Sequence, residues 1–292
     1  MRRSIGVPAS VVFVIAAMSP VCAQMPAGPS PPPPIVQRFR EMTKVGHGDA
    51  HEANERAWSA AYARSRIPMY GVAMTSMAGP SDVWFISGYS SFKALEDMGT
   101  AIGKDKELTA AINMLAAKDA DYVSDATGSI WVLRPDLSYR DTVDWSRMHA
   151  YEMITVRARP GHSGDIKQIV EKIRAGHASA GTSARWAMYQ GMMGVPDGTY
   201  LVVVPHASLA DLDVGMKDDA LFATALGEAG ARELDRLSSD GVISIQTDLY
   251  TVSPRMSYVS DEWRAADADF WRGAAVMQAG EPVPAKKPVK KP

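Results

Sequence analysis

His51, Glu55, Trp58 and Tyr62 stand four, three and four residues apart, which on an α-helix places them along one stripe. An imidazole with a carboxylate one turn away is the minimal kit of a general base: the carboxylate orients the ring and the ring takes the proton. An indole and a phenol on the same stripe would wall a pocket for an apolar or aromatic molecule. His51 and Glu55 are therefore the catalytic candidates, and Trp58 and Tyr62 are ligand-binding candidates. The plain alternative is a solvated helix face, with Ala50, Ala53, Ala57 and Ala61 turned inward.

His47 and His51 are four apart, with Asp49, Glu52 and Glu55 nearby, a spacing compatible with two metal ligands on one face. The His-Glu-x-x-His pattern is missing and no third histidine is close in sequence. No metal is therefore assigned, and His47 with His51 stays the alternative. As a recurring residue at a helix start, His47 is expected to serve the turn by capping free N–H groups. Trp84 and Trp186 fall in strand-like segments with Trp131, Tyr70 and Tyr189. They would line a cavity or fill a core, and Trp84 and Trp186 complete the ligand-binding candidates. Met74, Met77, Met188, Met192 and Met193 could bind a soft metal, but adaptable core packing explains them more simply. Gly46-His47-Gly48 lacks the Lys and Ser/Thr of a phosphate loop, and no nucleophile-elbow motif supports a catalytic triad.

Elements must position these groups, and an internal repeat at about 115–119 residues supplies them. Lys44-Val45-Gly46-His47 matches Arg159-Pro160-Gly161-His162; Met77-Ala78-Gly79-Pro80 matches Met193-Gly194-Val195-Pro196; Asp136-Leu137-Ser138-Tyr139 matches Arg255-Met256-Ser257-Tyr258. Each copy reads as a strand (36–44; 150–158), a helix opened by Gly-His, two strands joined by a turn (69–77 with 83–88; 184–193 with 199–205), a second helical region and a last strand (128–134; 241–252). In the second copy Ile166, Ile169, Val170 and Ile173 make the apolar stripe of a buried helix face. His51, Glu55 and Trp58 occupy the aligned positions in the first. The order is β-α-β-β-α-β, twice. Such a sheet carries helices on one face and leaves the other apolar and bare, so two copies would cover each other.

A tandem pair of this kind, with Gly-His after the first strand, resembles the dimeric α+β barrel superfamily, including antibiotic-biosynthesis monooxygenase-like and stress-responsive barrel domains. The resemblance covers residues 35–258. It implies an α+β fold of two tandem ferredoxin-like units packed sheet to sheet as a single-chain α+β barrel. Members of that superfamily oxidise aromatics without a cofactor, degrade haem, or only bind small molecules. The run Met256-Ser257-Tyr258-Val259, with Asp261-Glu262-Trp263 and Asp269-Phe270-Trp271, is also similar to uncharacterised exported bacterial proteins, which implies no activity.

The expected organisation is a signal peptide (1–23), a Pro-rich linker (24–34), a first unit (35–140), a second unit (148–258), a C-terminal extension (259–280) and a disordered Pro/Lys tail (281–292). Arg2 and Arg3, the apolar run Val11 to Met18, and Val21 and Ala23 at positions −3 and −1 read as a secretory signal, which makes the protein exported, periplasmic or secreted. No later apolar stretch is long enough for a membrane span. Of 292 residues 46% are hydrophobic, enough for a real core, and the single cysteine, Cys22, lies in the signal, which excludes a disulfide framework. The net charge is −2, and four of the lysines sit in the tail, so the body is acidic and nucleic acid is excluded as a partner. The sequence thus points to a binder of a small apolar or aromatic molecule. The alternatives are a cofactor-free or haem-linked monooxygenase-like enzyme and a ligand-free interaction module. It names no cofactor, and it allows a homo-oligomer.

Overall fold

A computed structural model describes residues 26–275, and the expected signal peptide (1–23) and Pro/Lys tail (281–292) lie outside the described residues. The first unit runs β2 (Ile35–Thr43), α1 (Gly48–Ser65), β3 (Gly71–Ala78), β4 (Asp82–Tyr89), α2 (Phe92–Lys104), α3 (Lys106–Tyr122) and β5 (Val123–Leu133). The second runs β7 (Ala150–Ala158), α4 (Ser163–Ala180), β8 (Ala187–Met193), β9 (Thr199–His206), α5 (Ala210–Gly241) and β10 (Val242–Tyr258). Short strands β1 (Pro29–Ser30) and β6 (Val143–Asp144) pair with each other, and α6 (Asp261–Ala266) and α7 (Ala268–Ala275) follow β10.

Within each unit the strands lie in ferredoxin-like order, β5-β2-β4-β3 and β10-β7-β9-β8, all antiparallel. The bare edges then pair across the units, β5 with β8 and β10 with β3, and close an eight-stranded barrel. Closure leaves the barrel without an edge strand. This is the arrangement of a dimeric α+β barrel accomplished within one chain.

The recurring motifs prove to be seam hardware. Leu137 and Met256 are buried; the Ser138 hydroxyl accepts the Met188 N–H and the Ser257 hydroxyl accepts the Ala73 N–H, both at 2.9 Å. Tyr139 lies against Trp186 at 5.0 Å between ring centroids, as Tyr258 lies against Tyr70 at 5.1 Å. Gly46 and Gly161 carry φ of 84° and 86°, a left-handed geometry suited to glycine. The expectation that the next residue caps the helix is corrected: neither His47 nor His162 makes a side-chain cap, and His162 instead pairs through Nδ1 with Asp165 at 2.7 Å.

The barrel interior is packed. Val36, Met74, Trp84, Trp131, Tyr151, Met153, Tyr189, Leu201 and Tyr250 form its core. Arg38 lies between the faces of Trp84 and Trp131, 4.3 and 5.2 Å from their centroids, and donates from Nε to Ser129. Asp82 collects the Tyr250 hydroxyl at 2.9 Å, the Trp84 indole N–H and Arg40. The Pro-rich stretch, expected as a free spacer, is part of the fold from residue 29 onward. Ser30 O accepts the Trp145 indole N–H and Pro33 O accepts the Tyr189 hydroxyl, because a closed barrel needs its open end stopped. A void of about 90 Å³ remains there, lined by Pro32, Pro33, Tyr70, Tyr151 and Trp263 among others. No helix among the described residues is long and apolar enough to cross a membrane.

Candidate functional site

With the barrel filled, the large cavities lie outside it, one in each unit, between the first helix and the outer face of the sheet. They occupy equivalent places: α1 and α4 each span 18 residues, and their N-cap residues are His47 and His162. Glu41, His51, Glu55, Trp58 and Tyr62 of the first unit correspond to Val156, Ile166, Val170, Ile173 and His177 of the second. Each unit is thus a control for the other, and the apolar second set shows that the fold itself asks for no polar group at the first four of these positions.

In the first unit the cavity measures about 250 Å³ and is walled by Phe39, Trp58, Tyr62, Phe85 and Tyr258, with Glu41 and Glu55 at its floor. His51 is only 1% exposed. Its Nε2 stands 2.8 Å from Glu41 Oε2 and 3.9 Å from Glu55 Oε1. Glu55 Oε1 is buried and has no hydrogen-bond partner. Asp119 on α3 joins them from behind, accepting from Asn54 Nδ2 at 2.6 Å and Trp58 Nε1 at 3.2 Å. No lysine or arginine among the described residues pairs with Glu41, Glu55 or Asp119. Burial, then the charges of Glu41 and Asp119, push the Glu55 carboxyl up to about 10, so it holds a proton at neutral pH. Burial, then Glu55, pushes the Tyr62 phenol up to about 12. The group can therefore move protons, His51 with Glu41 as base and Glu55 as acid, or hold a cation.

The structure brings Glu55, Trp58 and Tyr62 to one cavity, buries His51 beside it against Glu41, and sets the others apart. His47 is exposed at the start of α1, its ring near Tyr122, and the side chains gathered with His51 are Glu41 and Glu55 rather than His47. Trp84 is inside the barrel against Arg38 and lines neither outer cavity. Sequence reasoning missed Glu41. The signal was there: a carboxylate on the first strand at the position where the second unit has Val156.

In the second unit the cavity reaches about 600 Å³. Its walls are Ile154, Val156, Ile166, Ile169, Val170, Ile173, Met188, Val202 and Val204, with Trp186 at one side. The roof is the first half of α5, which breaks at Gly227, where φ is 64° and ψ 173°. Trp186 donates its indole N–H to Leu137 O at 2.9 Å, which fixes its ring. The mouth carries His177, Arg185, His206, Glu152, Asp211, Asp218 and Asp219. His177 holds Thr182 Oγ1 through Nδ1 at 2.9 Å and stacks on Phe222 at 4.4 Å. Burial keeps its imidazole below the usual histidine range, against the pull of Asp219 and Asp218. Haem, which the superfamily resemblance admits, does not fit this mouth: four carboxylates against one arginine would face two propionates with like charge.

No protein family and no curated protein matches the sequence. Solved structures do resemble the fold. A provisionally assigned monooxygenase from Fusobacterium nucleatum is 8% identical over 76% of this chain and 93% of its own, with a TM-score of 0.49. An anthrone oxidase-like protein is 11% identical over 75% and 91%, with a TM-score of 0.43. A chlorite dismutase variant from Candidatus Nitrospira defluvii, in complex with cyanide, is 8% identical over 83% and 95%, with a TM-score of 0.43.

Proposed function

We propose that the protein binds a small molecule with an apolar or aromatic body and a neutral or cationic polar end, in the cavity of the second unit. The observation that carries this reading is the cavity itself: about 600 Å³, within the usual range of ligand sites, with apolar walls and its polar groups gathered at the mouth. The surplus of carboxylates at the mouth favours the cationic or neutral end over an anionic one. The chain supplies the roof, walls and mouth, and at the mouth Ser183 Oγ donates to Asp218 Oδ2 at 2.6 Å and His206 Nε2 stands 3.3 Å from Glu152 Oε2.

An environment-sensitive apolar dye should enter the purified protein, with the change in Trp186 fluorescence reporting the site. Filling the cavity from opposite walls, Ile173→Trp with Val204→Trp, should weaken dye uptake at least about tenfold and leave the melting temperature equal or higher, since cavity filling commonly stabilises. Undiminished uptake in that variant would place the guest elsewhere, and no uptake by the parent protein would end the reading. Native mass spectrometry of protein from the producing host would identify a retained guest.

Export is part of the same proposal. The basic n-region, the short apolar run and the small residues at the cut support it. The secreted or periplasmic protein should begin at Gln24, which N-terminal sequencing of the fractionated protein reads directly; intact Met1 in the cytoplasmic fraction would overturn it.

A second reading, an oxidative enzyme working at the first unit's cavity, is favoured by the meeting of His51, Glu41 and Glu55 beneath an aromatic-walled space. Consumption of oxygen with an added phenol or quinol, abolished by Glu55→Gln in a protein of unchanged melting temperature, would support it over pure binding.

A further inference from the structure

We propose that Glu41, His51 and Glu55 form a binding site for one divalent cation of the zinc, manganese or iron(II) type, at the floor of the first unit's cavity. The donor set is two carboxylates and one imidazole, drawn from β2 and from successive turns of α1, and their ligating atoms lie within 4.8 Å of one another. Two donors of a single ion at about 2.1 Å each stand roughly 3–4 Å apart, so closing on a cation takes side-chain shifts of about an ångström. Imidazole with carboxylates suits borderline and hard divalent ions rather than copper(I), which prefers sulfur.

Three further observations point the same way. Glu55 Oε1 is unpartnered although its side chain is only 7% exposed, beside His51 Nε2, and a buried polar atom left without a partner is costly unless a ligand claims it. The site is rich in acidic groups: Asp119 stands behind Glu55, and no lysine or arginine among the described residues pairs with Glu41, Glu55 or Asp119. Third, the equivalent positions of the second unit are Val156, Ile166 and Val170, which pack the equivalent helix, α4, on the strands of the second unit. The polar trio is therefore surplus to the fold.

Glu41 and Glu55 also line the cavity. An ion held by three protein ligands at its floor would keep a position open toward that space, the arrangement of a catalytic rather than a purely structural site. Asp119 would act behind the ligands as a positioning residue, held by Asn54 and Trp58. This inference is independent of the second unit's cavity.

The test is calorimetric titration of chelator-treated, full-length protein with Zn²⁺ and with Mn²⁺, and with Co²⁺ as an absorption probe of the donor set. One equivalent should bind. Glu55→Gln and Glu41→Gln should each weaken binding at least about 100-fold, more than the loss typical for an outer-shell partner. Both are close in shape to the residues they replace, and circular dichroism verifies that each variant is folded. Binding of equal strength in both variants would put the ion elsewhere. Absence of stoichiometric binding by the parent protein to any of the three ions would overturn the proposal, whether or not the second unit takes up dye.

Discussion

Trp271→Ala lowers stability by roughly 3–5 kcal/mol and the melting temperature by roughly 6–20 °C. The residue lies beyond both repeats, on α7, yet it is 1% exposed and belongs to the same core cluster as Trp84, Trp131 and Tyr151. Its indole N–H donates to Ser146 O at 3.0 Å, its ring lies 6.1 Å from Trp263, and Phe270 meets it edge-on at 5.0 Å. The extension is fastened again where His149 Nε2 meets Asp267 Oδ2 at 2.8 Å and stacks on Phe270 at 3.7 Å. Truncation removes the buried ring, leaves a cavity and orphans the Ser146 carbonyl. Trp271→Phe keeps most of the buried area, so its cost should be much smaller, dominated by the lost hydrogen bond at about 1 kcal/mol plus a modest packing change. Denaturant melts of the two variants measure both values. A loss under about 1 kcal/mol for the alanine would mean that the extension is not part of the core.

Gly194→Ala costs roughly 2–5 kcal/mol, from two separate sources. The residue sits just after β8 with φ of 76°, where an alanine pays about 1–2 kcal/mol for the left-handed conformation. A Cβ there would also stand 2.1 Å from Gly128 O, a backbone atom of β5 in the other unit, so the seam itself must open to admit it, at a further 1–3 kcal/mol. Gly181→Ala separates the two terms: its φ is 65°, but a Cβ there meets nothing within 4 Å. It should therefore show the backbone cost alone. Equal unfolding free energies for the two variants would contradict the claim that the β5–β8 seam is tightly closed at this point.

Much of this architecture is legible in the residues. The apolar stripe Ile166, Val170 and Ile173 announced a helix on a sheet, and Leu137-Ser138-Tyr139 with Met256-Ser257-Tyr258 announced a duplicated unit. The motifs marked places where each half fastens to the other, which is why they recur. The stripe His51, Glu55, Trp58 and Tyr62 was visible because an internal copy showed what a plain packing face looks like at those positions. Glu41 was not singled out, because a single carboxylate on a strand reads as the solvent side of an alternating pattern. Only the register of β2 under α1 brings it 2.8 Å from His51.

Periodicity and repetition by themselves determined the order of elements, the doubling and one line of candidate residues, since these follow from local preference and from spacing along the chain. The tertiary structure alone decided that the aromatic strands fill the barrel while the cavities open beneath the helices. It also decided that Trp84 packs on Arg38, whereas Trp58 and Tyr62 wall a pocket and Trp186 borders the other. The physical reason is that strand pairing and the stand-off between helix and sheet set which side chains meet, and both depend on contacts between residues far apart along the chain.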